Sequence, residues 1–125
     1  MTFEEAFWKT FKKGLMTGSS PTQDLFLDRL KINGRDNRRL ARKSVQSARF
    51  EVRFKQSTVY KTALSSVKAD PLEYIPTLEM VVTREIKYLR DFWLGSAIFA
   101  NVVGNARKDV EMWEEVLKTL RGLIQ

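Results

Sequence analysis

A chain of 125 residues with neither histidine nor cysteine has no imidazole base, no thiolate nucleophile, no disulfide and no zinc ligand set of the usual kinds. Its hydrophobic content of 43% and charged content of 30% are globular values, and the length suits one domain with a real core. The net charge of +7 is unevenly placed: Lys31, Arg35, Arg38, Arg39, Arg42, Lys43, Arg49, Arg53, Lys55 and Lys61 face only Asp36 and Glu51 in that interval, whereas residues 71–125 are close to neutral.

Thr2 with Glu5 three residues later reads as a capping box and predicts a first helix over about Phe3–Lys13. Phe3, Phe7, Trp8, Phe11 and Leu15 share one band of that helix, and Lys9, Lys12 and Lys13 lie across from it. Such a helix can lie on a membrane surface or dock on its own core; docking is the commoner arrangement. Gly14–Ser20 reads as a loop. Ser20 as cap and Pro21 at the first position predict a second helix, which carries Leu25, Phe26, Leu30 and Ile32 and stops at Asn33-Gly34.

Asp36 is placed to cap a third helix running to about Ala69, with Ala41, Val45, Ala48, Val52, Val59 and Ala63 on one lightly apolar face. Phe50 and Phe54 point elsewhere, beside Leu40. The alternation from Phe50 to Phe54 is compatible with a strand, but no turn signal or partner strand accompanies it, so helix is the reading. Asp70-Pro71 with Glu73 restarts a helix, and Pro76 breaks or resets it. From Val82 to Ile124 the apolar residues keep one three-four phase, interrupted by Glu85 and Ser96. The phase survives Gly104-Asn105, so either the chain folds back there or one helix continues through it.

The expected fold is therefore all-α: a helical bundle with two short N-terminal helices (1–34), one long basic helix (35–69) and a long or hairpinned C-terminal unit (71–125), in a single domain. The N-terminus lacks the apolar run of a signal peptide. The nearly uncharged stretch Phe92–Ala106 is short of the roughly 20 residues a span requires, so no membrane span is expected. A cytoplasmic or viral-interior setting follows, not a secreted one.

On the third helix Arg35, Arg38, Arg42, Arg49 and Arg53 fall within about 60° of one another and form a stripe roughly 27 Å long. Arginine keeps its charge and binds phosphate bidentately, so the stripe suits a nucleic-acid backbone, with Arg39, Lys43 and Lys55 assisting. Two other readings stay open: pairing with an acidic protein partner, and a solvated helix face. Phe50, Phe54 and Tyr60 are placed to stack bases, although core packing is the usual fate of such residues. The run Asn37-Arg38-Arg39-Leu40-Ala41-Arg42-Lys43-Ser44 resembles the basic region of basic leucine-zipper proteins at Asn37, Ala41 and Ser44. Val45 then stands where that family has an arginine, and Phe54 and Lys61 stand where its leucine heptad would continue. The resemblance implies a segment suited to phosphate and not that family's dimer.

The stretch Phe92–Val103 is apolar all round, which implies burial on every side, either inside a bundle or at a homo-oligomer interface. Phe92, Trp93, Phe99, Val103, Val110, Trp113, Leu117 and Leu120 are the candidate assembly residues. The last third, a small-residue helix (Gly95, Ser96, Ala97, Ala100) followed by one ending Leu120-Arg121-Gly122, loosely resembles the end of small head–tail adaptor proteins of tailed phages and also phage recombination mediators, which implies a helical, oligomeric component. Carboxylates at Asp24 and Asp28, and at Asp109, Glu111, Glu114 and Glu115, could in principle hold a hard metal or an acid–base pair, but acids early in a helix are more simply dipole partners. No catalytic residue, metal or cofactor is expected. The leading expectation is a non-catalytic, oligomeric nucleic-acid-binding accessory protein; the alternative is a small structural or assembly protein whose arginines meet acidic surfaces or DNA.

Overall fold

A computed structural model describes residues 1–95 and 100–125, the side chains of 100–102 excepted. The described residues form helices α1 (Phe3–Met16), α2 (Ser20–Arg29), α3 (Arg35–Ser44), α4 (Ala48–Lys55), α5 (Thr58–Ala69), α6 (Pro71–Gly95) and α7 (Ala100–Arg121), with no strand among them. The all-α helical bundle expected from the apolar spacing is what the chain adopts.

Thr2 caps α1 as its spacing with Glu5 requires: its Oγ1 accepts the Glu5 N–H at 3.2 Å. The aromatic face of α1 is the centre of the core. Phe7 and Phe11 are fully buried, and Phe11 stacks on Phe54 with ring centroids 5.3 Å apart. Trp8, Phe26 and Tyr60 complete the cluster. The helix runs past Gly14 to Met16 where a loop was expected. The Phe26 ring is the reason, since it lies where a Cβ on Gly14 would be, at 2.7 Å. Gly14 is there for close approach and not for a turn.

α2 stops at Arg29, short of the expected Asn33-Gly34. Lys31 takes the left-handed conformation (φ 60°), with Ile32 N–H donating to Leu27 O at 2.9 Å and Lys31 N–H to Asp28 O at 3.0 Å. This is a Schellman ending with lysine in place of glycine, held by burial of Ile32. Gly34 (φ 94°) caps α3 instead, and Asp36 sits in the first turn.

The single long basic helix is corrected to three. Ser47 and Ser57 start α4 and α5, and Ser57 Oγ accepts the Tyr60 N–H at 3.3 Å. Serine favours caps over helix interiors, and each of these follows a glutamine. Packing supplies the larger reason. On a straight helix Phe54 would lie roughly opposite Ala41, at 100° per residue. With two breaks, Ala41, Phe54, Tyr60, Ala63 and Val67 all reach one core. Val52, expected on the apolar face, is exposed instead.

α6 passes through Pro76 unbroken. Leu72, four residues before, and Pro76 are both exposed, so water can reach the carbonyl that loses its partner. Gly104-Asn105 lie inside α7, so the chain does not fold back there. α6 and α7 pack antiparallel, cross-linked by Arg90–Glu114 at 2.7 Å and Arg121–Glu79 at 3.3 Å. Glu85, which interrupts the apolar phase, is half-buried beside Lys13 Nζ at 2.9 Å. Ser96 lies outside the described residues.

Burial pushes the Tyr60 phenol up to about 12, with the nearby Glu4 and Glu51 carboxylates adding to it. A folded-state value above the ordinary value near 10 means that the unfolded chain ionises first as pH rises. The contribution is fully present below pH 10 and is lost between about 10 and 12. Tyr60→Phe should therefore remove part of the alkaline loss of stability in that window. Urea midpoints of both proteins at pH 8 and 11.5 check it: parallel pH profiles would remove Tyr60 as the cause.

Candidate nucleic-acid interface

The basic residues of 35–55 divide into two groups by their partners. Arg38 donates through Nε to Ile32 O at 3.2 Å, and its guanidinium reaches Asp24 Oδ1 at 3.4 Å and Asp28 Oδ1. Arg42 pairs with Asp24 Oδ1 through Nη2. Its Nε is buried without a hydrogen-bond partner among the described residues. The i,i+4 pair Asp24/Asp28 on α2 thus faces the i,i+4 pair Arg38/Arg42 on α3, and the four clamp the two helices together. Lys55 is held too: Nζ is 3.8 Å from Glu51 Oε2 and 4.7 Å from the Trp8 ring centroid. Glu51 in turn accepts the Trp8 indole N–H at 2.8 Å, so Trp8 ties α4 to α1.

Arg35, Arg39, Arg49 and Arg53 form the second group. All four are exposed and make no ion pair among the described residues. They sit as two i,i+4 pairs, one on α3 and one on α4, each pair separated by about 6 Å of helical rise. Lys43 lies nearby with Nζ 5.1 Å over the Phe50 ring, which is half-buried. The expected continuous stripe is replaced by a two-helix surface, because the chain turns at Val45–Ser47 and α3 packs on α4. Of the aromatics placed to stack bases, Phe54 and Tyr60 are buried and Phe50 alone is partly accessible.

The candidate assembly residues also divide. Val110, Trp113 and Leu120 are buried in the subunit's own core, and Leu117 packs against it. α7 packs these residues against α6 and α1. Trp93 is half-buried, with the Arg107 guanidinium 4.8 Å above its ring. Val103 is half-buried, and Phe99 lies outside the described residues. Phe92 remains on the surface at 44% exposure, stacked on Tyr88, with Leu94 beyond at 80%.

Four of the six carboxylates singled out in sequence are engaged electrostatically, while Asp109 and Glu111 are exposed and make no ion pair among the described residues. Asp24 and Asp28 hold the α2–α3 clamp, Glu114 pairs with Arg90, and Glu115 lies 3.4 Å from the N-terminal ammonium. No group of three metal-ligating side chains gathers among the described residues, and no described helix is long and apolar enough to cross a membrane. The Trp8–Glu51–Lys55 linkage and the clamp are the features that sequence reasoning missed. The matched i,i+4 spacings of Asp24/Asp28 and Arg38/Arg42 were the available signal. Comparison with protein-family models, curated proteins and solved structures returns no match to this chain.

Proposed function

We propose that the protein is a non-catalytic nucleic-acid-binding accessory protein, working as an oligomer inside a cell or virion. Phosphates would lie against Arg35, Arg39, Arg49 and Arg53, with Lys43 beside them. The observation that carries this reading is selective pairing. Two arginines of the basic segment have carboxylate partners supplied by α2, while Arg35 and Arg39 on α3 and Arg49 and Arg53 on the packed α4 are exposed and have none among the described residues. Unpaired guanidinia in clustered i,i+4 pairs suit a polyanion with repeated charge, and phosphate contacts of this kind read no base sequence.

The test is light scattering and anisotropy with single-stranded and duplex oligonucleotides of mixed sequence. Affinity should fall linearly in logarithmic salt, with a slope of about 0.9 per phosphate neutralised on duplex or about 0.7 on single strands. Absence of binding at low salt would refute the reading.

A second reading is favoured by Tyr88, Phe92 and Leu94, which leave an apolar end on α6. In it the protein is a small structural component similar to a head–tail adaptor, and the same arginines meet acidic surfaces of neighbouring subunits. Sizing distinguishes the two: assembly that requires oligonucleotide supports the first, and assembly in its absence with no oligonucleotide affinity supports the second.

A further inference from the structure

Away from the α3–α4 arginines, a trough of about 710 Å³ opens between α2 and α6, with the end of α1 as its floor. Its walls are two helix faces. α2 contributes Leu25, Phe26 and Arg29, and α6 contributes Met80, Val81, Arg84 and Tyr88. Both sets follow the three-four spacing that a helix presents to another helix. The side chains are apolar yet uncovered: Leu25 and Tyr88 are each 64% exposed and Met80 is 45% exposed. The rim is cationic. Lys13 is neutralised by Glu85 at 2.9 Å, whereas Arg29 and Arg84 are exposed and make no ion pair among the described residues.

We infer that this trough is the docking site for an acidic amphipathic helix of a partner protein. An apolar groove walled by helix faces takes an amphipathic helix by its i, i+3, i+4, i+7 anchors. The two unpaired guanidinia choose the sign of the partner's flanks, because carboxylates beside the anchors would meet Arg29 and Arg84 as charge-assisted pairs. Openness argues against a small anionic amphiphile. Sites for small ligands bury most of the ligand surface, and a wall in which Leu25 and Tyr88 are mostly exposed cannot do that. The inference does not depend on the proposed nucleic-acid function, since none of the α3 or α4 arginines lines the trough.

The probe is a labelled helical peptide of about 15 residues, long enough to hold a helix, with leucines at three-four spacing and glutamates on both flanks. A lysine-flanked counterpart, laurate and a mixed-sequence oligonucleotide serve as comparisons. The acidic peptide should bind the 125-residue chain and the lysine peptide should not. Leu25→Ser, at an exposed position, should weaken binding about tenfold or more, as loss of an anchor does. Arg29→Glu combined with Arg84→Glu should reverse the preference in favour of the lysine peptide, with helix content and Tm close to wild type. Failure of the acidic peptide to bind, equal binding of the two peptides, or indifference to these substitutions would overturn the inference. Displacement by laurate would reassign the trough to a small amphiphile. Displacement by oligonucleotide would move the peptide to the α3–α4 surface. Either displacement overturns the docking site.

Discussion

Phe54→Ala should destabilise the protein by about 3–5 kcal/mol, the cost of removing a fully buried ring whose site collapses only in part. Phe54 has no solvent exposure, and its ring centroid lies 5.3 Å from those of Phe11 and Tyr60 and 6.2 Å from that of Trp8. Three aromatic rings from two other helices therefore lose a common neighbour, and α4 loses its one fully buried anchor. Against the usual total of about 5–15 kcal/mol, this loss removes much of the stability. A Tm fall on the order of 10–20 °C is expected for a domain of this size. Val52→Ala, two residues away and 56% exposed, should change stability by no more than about 0.5 kcal/mol. Urea titration of both variants decides the matter. A large effect at Val52 with a small one at Phe54 would restore the continuous helix, on which Val52 faces the core.

That comparison shows where the fold was legible. The capping box at Thr2, Pro21 in the first turn of α2 (capped by Ser19, one residue before the expected Ser20), and the apolar phases of α1, α6 and α7 are local patterns. Local patterns give element type directly. The breaks near Ser47 and Ser57 are different. Both serines are weak signals in a stretch without glycine or proline, and what decides them is the need to turn Phe54 toward Phe11, a contact 43 residues away in sequence. The same applies to Gly14, which looked like a loop start until the Phe26 ring filled the space beside it. The phase across Gly104-Asn105 left a turn and a continuing helix equally open, and α7 runs through both residues.

The site was legible in composition and not in partners. The excess of arginine between residues 35 and 53 is plain in the sequence, but a helical wheel treats Arg35 and Arg38 as equivalent. They are not, because α2 lies against one side of α3 and presents Asp24 and Asp28 there. Likewise Val110, Trp113 and Leu120 are apolar enough for an interface, and only the antiparallel return of α7 along α6 shows that their burial is internal. The trough has no signature in the sequence, because Leu25, Met80 and Tyr88 are ordinary surface positions singly. They become a face when α2 and α6 are brought side by side.

The division of the arginines makes the sharpest prediction. Replacing Arg35, Arg39, Arg49 and Arg53 together by Gln should leave the fold intact, since glutamine is a good helix former and none of the four has an ionic partner among the described residues. Oligonucleotide affinity should fall on the order of 10²-fold or more at low salt, and the duplex salt slope should decrease by about 0.9 for each phosphate contact removed. Replacing Arg38 and Arg42 by Gln should do the opposite. Asp24 and Asp28 would lose the guanidinia that hold α2 to α3, at a cost of about 1–2 kcal/mol for partly exposed charged pairs. The salt slope should stay near the wild-type value, because these two side chains are already neutralised within the subunit. Chemical denaturation and salt titration on the two variants give four numbers. A stable quadruple variant with undiminished affinity would remove the α3–α4 surface from nucleic-acid binding. Loss of affinity in the Arg38/Arg42 variant alone would mean that the clamp opens to the ligand, and that Asp24 and Asp28 compete with phosphate for the same guanidinia.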